Sequence, residues 1–324
     1  MSTYLVTGAA GFIGSSIARR LCEDGQTVRG IDNLVTGHME NLSGFLDRMD
    51  FRQGDIRDAA LMRSLCDGVD VIFHEAALPS VPKSVLDPVS SHQANIDGTL
   101  SVLMAAREAG VRRVIYAASS SAYGESPTLP KHEDMPTAPI SPYAVQKLAG
   151  EHYMQSFARV YGMETVCLRY FNVFGPNQAA DSPYSGVLAK FITLMLSGVS
   201  PVIHGDGNQS RDFTYIDNVV HANLLAAAAP ASQVSGKVYN VACGQRVSLL
   251  ATYDLVADII GFRKQPLFGS PRTGDIQHSL ADISRARQDF GYRPIVTFSE
   301  GLRRTVDWYA SQMGTSVELG SYVA

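Results

Sequence analysis

"VTGAAGFIG", residues 6–14, decides the fold. The apolar "TYLVTG" (3–8) reads as a strand, and "FIGSSIARRLCEDG" (12–25) reads as a helix. Gly8, Gly11 and Gly14 fall on the turn between them. A turn without Cβ atoms lets backbone N–H groups approach a pyrophosphate at the N-terminus of the following helix. The context such a turn needs is completed by an acid at the end of the next strand. Asp32 closes "TVRGID" (27–32), where it is placed to accept bonds from an adenosine ribose diol. A carboxylate there repels a 2′-phosphate, so NAD is expected rather than NADP. The glycine spacing departs from the common G-x-G-x-x-G fingerprint.

Outward from this turn, strands and helices alternate. "DFRQGD" (50–55), "DVIFHEA" (70–76), "RVIYAAS" (113–119) and "ETVCLRYF" (164–171) read as strands. "AALMRSLCDG" (59–68), "HQANIDGTLSVLMAAREAG" (92–110) and "SPYAVQKLAGEHYMQSFARVYG" (141–162) read as helices. The alternation predicts an α/β fold, a doubly wound parallel (Rossmann) sheet with helices on both faces. Beyond about residue 175 the rhythm loosens into "GPNQAADSPYSG" (175–186), a helix at "VLAKFITLMLSG" (187–198) and the turn-rich "GDGNQSRDF" (205–213). That half is expected to form a smaller α+β C-terminal lobe. The expected division is a dinucleotide-binding domain over 1–175, to which 213–243 returns, and a substrate-binding lobe from 176–212 and 244–324.

Composition narrows the class. The chain has 324 residues, of which 45% are hydrophobic and 18% charged, the balance of a globular protein with a sizeable core. A formal charge of −4 predicts neither nucleic-acid binding nor attraction to anionic membranes. No apolar run approaches the ~18 residues that span a bilayer. "MSTYLVTGAAGF" lacks the basic start and cleavage site of a secretory signal. Cys22, Cys66, Cys167 and Cys243 show neither close pairing nor metal-ligand spacing and are expected to stay reduced. A cytoplasmic protein without a metal is the expectation.

Two further stretches carry chemistry. In "SPYAVQK" (141–147), Ser141 is a candidate N-cap, Pro142 suits the first turn, and Tyr143 and Lys147 share a face. A free Tyr has a pKa near 10. A neighbouring ammonium and a cationic nicotinamide both favour phenolate, so the pKa of Tyr143 is expected to fall. In "YAASSSAYGE" (116–125), Ser119, Ser120 and Ser121 stand where an apolar strand runs out.

G-x-x-G-x-x-G together with Tyr143-x-x-x-Lys147 resembles the short-chain dehydrogenase/reductase superfamily. The blocks "GDIRD" (54–58), "HEAA" (74–77), "SPYAVQK", "RYFNVFGP" (169–176), "SRDFTYIDNV" (210–219) and "RTGDIQHSLAD" (272–282) resemble its extended branch, which acts on nucleotide sugars. Within that branch the chain looks most like the UDP-N-acetylglucosamine/UDP-glucose 4-epimerases. The resemblance implies Ser119, Tyr143 and Lys147 as catalytic groups. It implies NAD contacts from Gly8, Gly11, Phe12, Ile13, Gly14, Asp32, Asn33, Asp55, Ile56, Ala76, Ala77 and Tyr170 besides Tyr143 and Lys147. For the UDP-sugar it implies Ser120, Ser121, Asn172, Gln178, Val187, Lys190 and Ser279, with Arg211 and Arg272 on the diphosphate and Asp275 on the uridine ribose. It also implies a homodimer built on the helices near 92–110 and 142–161.

The same resemblance separates reactions. The 4,6-dehydratases carry Asp-Glu where Ser120-Ser121 stand, and UDP-glucuronate decarboxylases keep a Glu at the second position. A serine offers no accessible charge for such chemistry. Ser279 falls where glucose-selective epimerases carry a bulky Tyr, which leaves room for a 2-acetamido group. Gln178 matches the subgroup that prefers N-acetylated sugars. Pro79 departs from the expected Gly or polar residue, stiffening that wall. UDP-glucuronate epimerases are a weaker fit, since they carry Thr where Asn172 stands.

Overall fold

The computed structural model describes residues 2–179, 186–271 and 277–314. The first half alternates as β1 (Thr3–Thr7), α1 (Phe12–Glu23), β2 (Thr27–Asp32), β3 (Asp50–Gln53), α2 (Ala59–Cys66) and β4 (Val71–His74). It continues through α3 (Val81–Leu86), α4 (Pro88–His92), α5 (Gly98–Glu108), β5 (Arg113–Ser119), α6 (Pro142–Tyr161) and β6 (Glu164–Tyr170). The second half runs β7 (Val173–Phe174), α7 (Val187–Leu196), β8 (Val202–His204), β9 (Ser210–Arg211), β10 (Thr214–Tyr215), α8 (Ile216–Ala228), α9 (Ala231–Val234) and β11 (Lys237–Val241). It ends with β12 (Val247–Ser248), α10 (Leu249–Ile260), β13 (Leu267–Gly269), α11 (Ser284–Phe290) and α12 (Phe298–Gln312).

Among the described residues seven parallel strands form one sheet, in the order β11-β6-β5-β4-β1-β2-β3. The strand order reverses between β1 and β4, and the glycine turn after β1 lies at that switch point, where such sheets bind ligands. Both faces are covered, so β4 reads as an unbroken buried run rather than an alternating one. Alternate residues go to opposite sides. Leu5, Ile72 and Val114 join the core with α2, α5 and α6, whereas Val6, Phe73 and Ile115 join the core with α1 and α8. The second half contributes β11, registered against β6 from Lys237↔Val166 to Val241↔Tyr170. The remainder is a lobe of two-stranded pieces, β7 with β10, β9 with β12 and β8 with β13, against α7, α10 and α12. Asp212 ties this lobe together, its buried carboxylate accepting the N–H groups of Cys243 (2.9 Å), Gly244 (3.1 Å) and Ala281 (3.1 Å).

One segment differs from the sequence reading. A single helix was expected from residue 92, but helical structure begins at Val81 and reaches α5 through a π-helical turn at Gln93–Asp97. Ser80 and Asp87 cap α3 and α4 on the amides of Lys83 (3.2 Å) and Ser90 (3.0 Å), with proline in each first turn. Capping residue followed by proline is a helix-start signal, here spread over pieces too short for an apolar stripe.

Helix α6 carries the Tyr-Lys pair. Ser141 caps it on the amide of Ala144 at 3.2 Å, Pro142 occupies its first turn, and Gly162 ends it at φ +68. A buried ion pair fastens it to β6: Arg169 donates to Glu151 from Nε (2.9 Å) and Nη2 (2.7 Å). No helix among the described residues is long and apolar enough to cross a membrane.

Candidate active site

The glycine turn is shaped by contacts within the protein and by one opening. Gly8 has φ +67, and a Cβ there would lie 2.8 Å from the backbone N of Ala76. A Cβ on Gly14 would lie 2.1 Å from the Gly8 carbonyl oxygen, so turn and helix could not close. A Cβ on Gly11 would meet only that same oxygen, at 3.1 Å. Gly11 is also the N-cap of α1, and no side chain there closes the first N–H groups, at Phe12 and Ile13. Open backbone donors at a helix N-terminus favour an anion. Asp32 ends β2 with Oδ2 accepting from Ala10 N (3.0 Å) and Oδ1 from Leu34 N (2.8 Å). Burial raises its pKa, and those amides offset only part of the rise. A carboxylate so held retains lone pairs for a diol. These features fit a dinucleotide.

The neighbouring residues are placed less directly. Asp55 accepts a forked pair of bonds from Arg57, at 2.9 and 2.7 Å, and a longer one from Asn33 Nδ2 at 3.4 Å. The Arg57 hydrogen bond holds its carboxyl down at about 2. Ile56 packs on α5, where a Cβ on Gly98 would come within 2.6 Å of it. Ala76 and Ala77 follow β4, with Ala76 N donating to Thr7 Oγ1 at 3.2 Å. Pro79 lies in the tight turn closed by Ser80 N on Leu78 O at 3.0 Å.

Ser119, Tyr143 and Lys147 come together at the carboxyl end of β5. The Ser119 hydroxyl oxygen accepts from Ser121 N (3.2 Å) and from the Ser121 hydroxyl (2.9 Å), and it lies near enough to the Tyr143 hydroxyl to favour the phenolate. Ser121 therefore orients Ser119, and Ser120 opens the 3-10 turn that brings it back. The amide of Tyr143 donates to Ser84 Oγ at 3.0 Å, which fixes the start of α6 on α3. The buried Lys147 ammonium donates to Ala117 O at 2.7 Å and lies 4.9 Å from the Tyr116 ring centroid. The protein's own groups do not lower the Tyr143 pKa; the expected fall includes the share of a cationic nicotinamide. Burial pushes the phenol up to about 12, against the Ser119 hydrogen bond and with the charge of Glu75. The ammonium is turned to a backbone carbonyl, so desolvation of the phenolate prevails.

The substrate-side residues form a second group on the lobe. Asn172 has φ +35, and its Nδ2 donates to Asp212 O and to Ser279 Oγ, both at 3.0 Å. Ser279 Oγ also accepts from Asp212 N at 3.2 Å. Arg211 donates to Ser210 O (3.0 Å) and Gln277 O (3.2 Å). Gln178 Nε2 donates to Val173 O at 3.2 Å, and Val187 and Lys190 lie one turn apart on α7. Arg272 and Asp275 lie outside the described residues.

Two buried groups escaped the sequence reading. His74 bridges Thr7 Oγ1 (2.8 Å) and Thr99 Oγ1 (3.0 Å). Thr99 spends its own proton on Asn95 O, so Nε2 of His74 carries the hydrogen. Burial, with the Lys147 charge, pushes this imidazole down to about 3. Glu75 accepts from the Tyr170 hydroxyl at 2.8 Å. Both lie in the quoted "HEAA" block, but their partners are 25 to 95 positions away.

Fold and turn together define a dinucleotide-binding α/β protein with a Ser-Tyr-Lys constellation at the switch point. The chain belongs to the NAD dependent epimerase/dehydratase family, whose model matches residues 4–242, and its cofactor is accordingly NAD. It is 40% identical over 312 residues to the UDP-glucose 4-epimerase of Mycolicibacterium smegmatis, covering 95% of this chain and 98% of that one. A UDP-N-acetylglucosamine 4-epimerase from Methanobrevibacter ruminantium M1, solved with UDP-N-acetylmuramic acid, superposes with TM-score 0.92 at 41% identity, covering 96% and 99%. A UDP-glucuronic acid 4-epimerase from Bacillus cereus, solved with UDP-4-deoxy-4-fluoro-glucuronic acid and NAD, superposes with TM-score 0.87 at 31% identity, covering 96% and 99%.

Proposed function

We propose that this chain interconverts UDP-hexoses at C4 and acts on the UDP-N-acetylglucosamine/UDP-N-acetylgalactosamine pair, with UDP-glucose/UDP-galactose as a second pair. The observation that carries this is the convergence of the Ser119 and Tyr143 hydroxyls beside a buried Lys147, with serines rather than carboxylates following. Dehydration or decarboxylation needs an added acid or base there. Phe12, Ile13 and the glycines would cradle the pyrophosphate of NAD, and Asp32 would hold its adenosine ribose. Bound NAD⁺ supplies a two-electron acceptor that returns what it takes. Tyr143 accepts the proton of the sugar's C4 hydroxyl and returns it to the C4 oxygen once the 4-ketosugar has turned its other face to the returning hydride. Ser119 hydrogen-bonds that oxygen, while Lys147 sets the local positive charge. Arg211 is suited to diphosphate oxygens.

The test is incubation with UDP-N-acetylglucosamine, UDP-glucose and UDP-glucuronate, with product anomeric signals followed by NMR. Absence of gluco/galacto interconversion for every sugar sinks the proposal. Turnover of UDP-glucuronate alone would favour the glucuronate reading instead.

The wall at Ser279 needs two substitutions, because its hydroxyl also holds Asn172 and the Asp212 amide. Ser279→Ala removes the acceptor without adding bulk. It should lower kcat/KM for every UDP-hexose by about 2- to 12-fold, the worth of one hydrogen bond, and leave the ratio between sugars unchanged. Ser279→Tyr should in addition lower the N-acetyl sugar relative to UDP-glucose. An unchanged ratio in that variant refutes the wall reading.

A second copy is expected against the helices near 92–110 and 142–161, where Met104 (37% exposed) on α5 and Val145 (50%) and Val160 (65%) on α6 are exposed apolar side chains. Light scattering at the mass of one chain would refute the homodimer.

A further inference from the structure

Glu75 is a half-buried residue with a shielded carboxyl oxygen, and the proposed cycle gives it no task. It follows β4 beside the glycine turn, where a Cβ on Gly8 would lie 3.1 Å from its carbonyl carbon. Its Oε1 accepts from the Tyr170 hydroxyl at 2.8 Å, and the Tyr170 oxygen accepts in turn from Asn223 Nδ2 at 2.9 Å. Its Oε2 is buried and has no hydrogen-bond partner among the described residues. The register His74↔Tyr116 sets Glu75 beside Ala117, whose carbonyl takes the Lys147 ammonium at 2.7 Å. The register Ser119↔Tyr170 sets its hydrogen-bond partner beside Ser119. An unsatisfied carboxylate oxygen is costly to bury, so its retention beside these groups asks for a reason.

We propose that Glu75 is a positioning residue whose negative charge sets the protonation of the Lys147–Tyr143 pair. The proposal rests on the epimerase reading for the roles of that pair. The groups facing Glu75 are Tyr170 from β6, Lys147 and Tyr143 from α6, and the neutral amide of Asn223 from α8. Glu151 faces Lys147 from its own helix, and His74 stays neutral between its two threonines. Burial pushes the Glu75 carboxyl up, and the Tyr170 bond and the Lys147 charge pull it back. Burial pushes the ammonium down, and Glu75 holds it up. The carboxylate likewise raises the Tyr143 phenol. Deleting its charge therefore makes both Lys147 and Tyr143 lose their protons at lower pH. At an effective dielectric constant near 20, one charge about 4 Å away is worth about three pH units and one about 10 Å away about one.

Glu75→Gln keeps the shape and an acceptor for Tyr170 but removes the charge. Two readings are made on the NAD-bound protein. The pH profile of kcat/KM for a UDP-hexose should move to lower pH on both limbs by about one to three units. The Lys147 midpoint, followed by NMR of ¹³C-labelled lysine and assigned by its loss in Lys147→Met, should fall by a similar amount. Unmoved limbs and an unmoved midpoint, with only a scaled rate, overturn the proposal and leave Glu75 a packing residue. Should the parent protein epimerise nothing, the functional reading fails while the lysine titration still decides this one. Should Glu75→Gln fail to fold, Tyr170→Phe serves, because losing the hydroxyl raises the Glu75 carboxyl and removes charge at a given pH. Its Lys147 midpoint should move the same way by less, and movement upward or none overturns the proposal.

Discussion

Replacing Tyr143 with Phe is expected to lower UDP-hexose turnover by a factor of about 10²–10⁴, the range set by loss of a positioned acid–base group. Only the hydroxyl group is removed, and Ser119 retains both donors from Ser121. The backbone of Tyr143 stays anchored on Ser84, and the ring continues to fill its partly buried place. Thermal unfolding should therefore move little while kcat collapses. Loss of turnover with unchanged substrate binding is the pattern of a group that acts in the transition state. Activity within a few-fold of the parent would remove Tyr143 from the chemistry. The phenol's elevated pKa, about 12 in this structure, sharpens the point. A phenolate near neutral pH requires positive charge in the working complex, to which the Lys147 ammonium and the oxidised cofactor both contribute.

Glu151→Ala should be strongly destabilising, costing about 3–5 kcal/mol because it leaves a buried guanidinium without its counter-charge. Arg169 and Glu151 are 3% and 1% exposed, so water cannot substitute for the lost partner. Among the described residues Arg169 Nη1 has no hydrogen-bond partner, and the guanidinium carbon sits 4.7 Å from the Tyr123 ring centroid. Urea unfolding of Glu151→Ala should give a lower midpoint at an unchanged slope. A double variant, Glu151→Met with Arg169→Met, should recover most of the loss, since apolar side chains of similar volume replace such pairs at little cost. A single-variant loss under about 1 kcal/mol would mean that the pair is dispensable. The consequence reaches the site, because Glu151 lies one helical turn beyond Lys147 and its pair with Arg169 holds α6 on β6.

Much of this arrangement was readable from the chain itself. The strand–glycine–helix step, the acid closing β2, the serine closing β5 and the Tyr-Lys helix all lie where their local patterns put them. Ser141 with Pro142 announced the start of α6, because cap and first turn are chemistry between neighbours. The same rule applied to Ser80-Val81-Pro82 and Asp87-Pro88 would have found α3 and α4, which were passed over for want of an apolar period. The resemblance to nucleotide-sugar enzymes added the roles, which neither spacing nor periodicity supplies.

What the sequence determined by itself was therefore the local geometry: which residues turn, which extend, and which side chains a helix presents on one face. These follow from steric limits and hydrogen bonds acting over a few positions. The tertiary structure alone decided how those pieces become electrostatically coupled. Tyr170 reaches Glu75 across 95 residues, and Asn172 reaches Ser279 across 107. Burial lifts the Tyr143 phenol, against the lowering expected from Lys147 and a cationic nicotinamide. Desolvation depends on everything packed around a group, and no local pattern records how deep a side chain will lie.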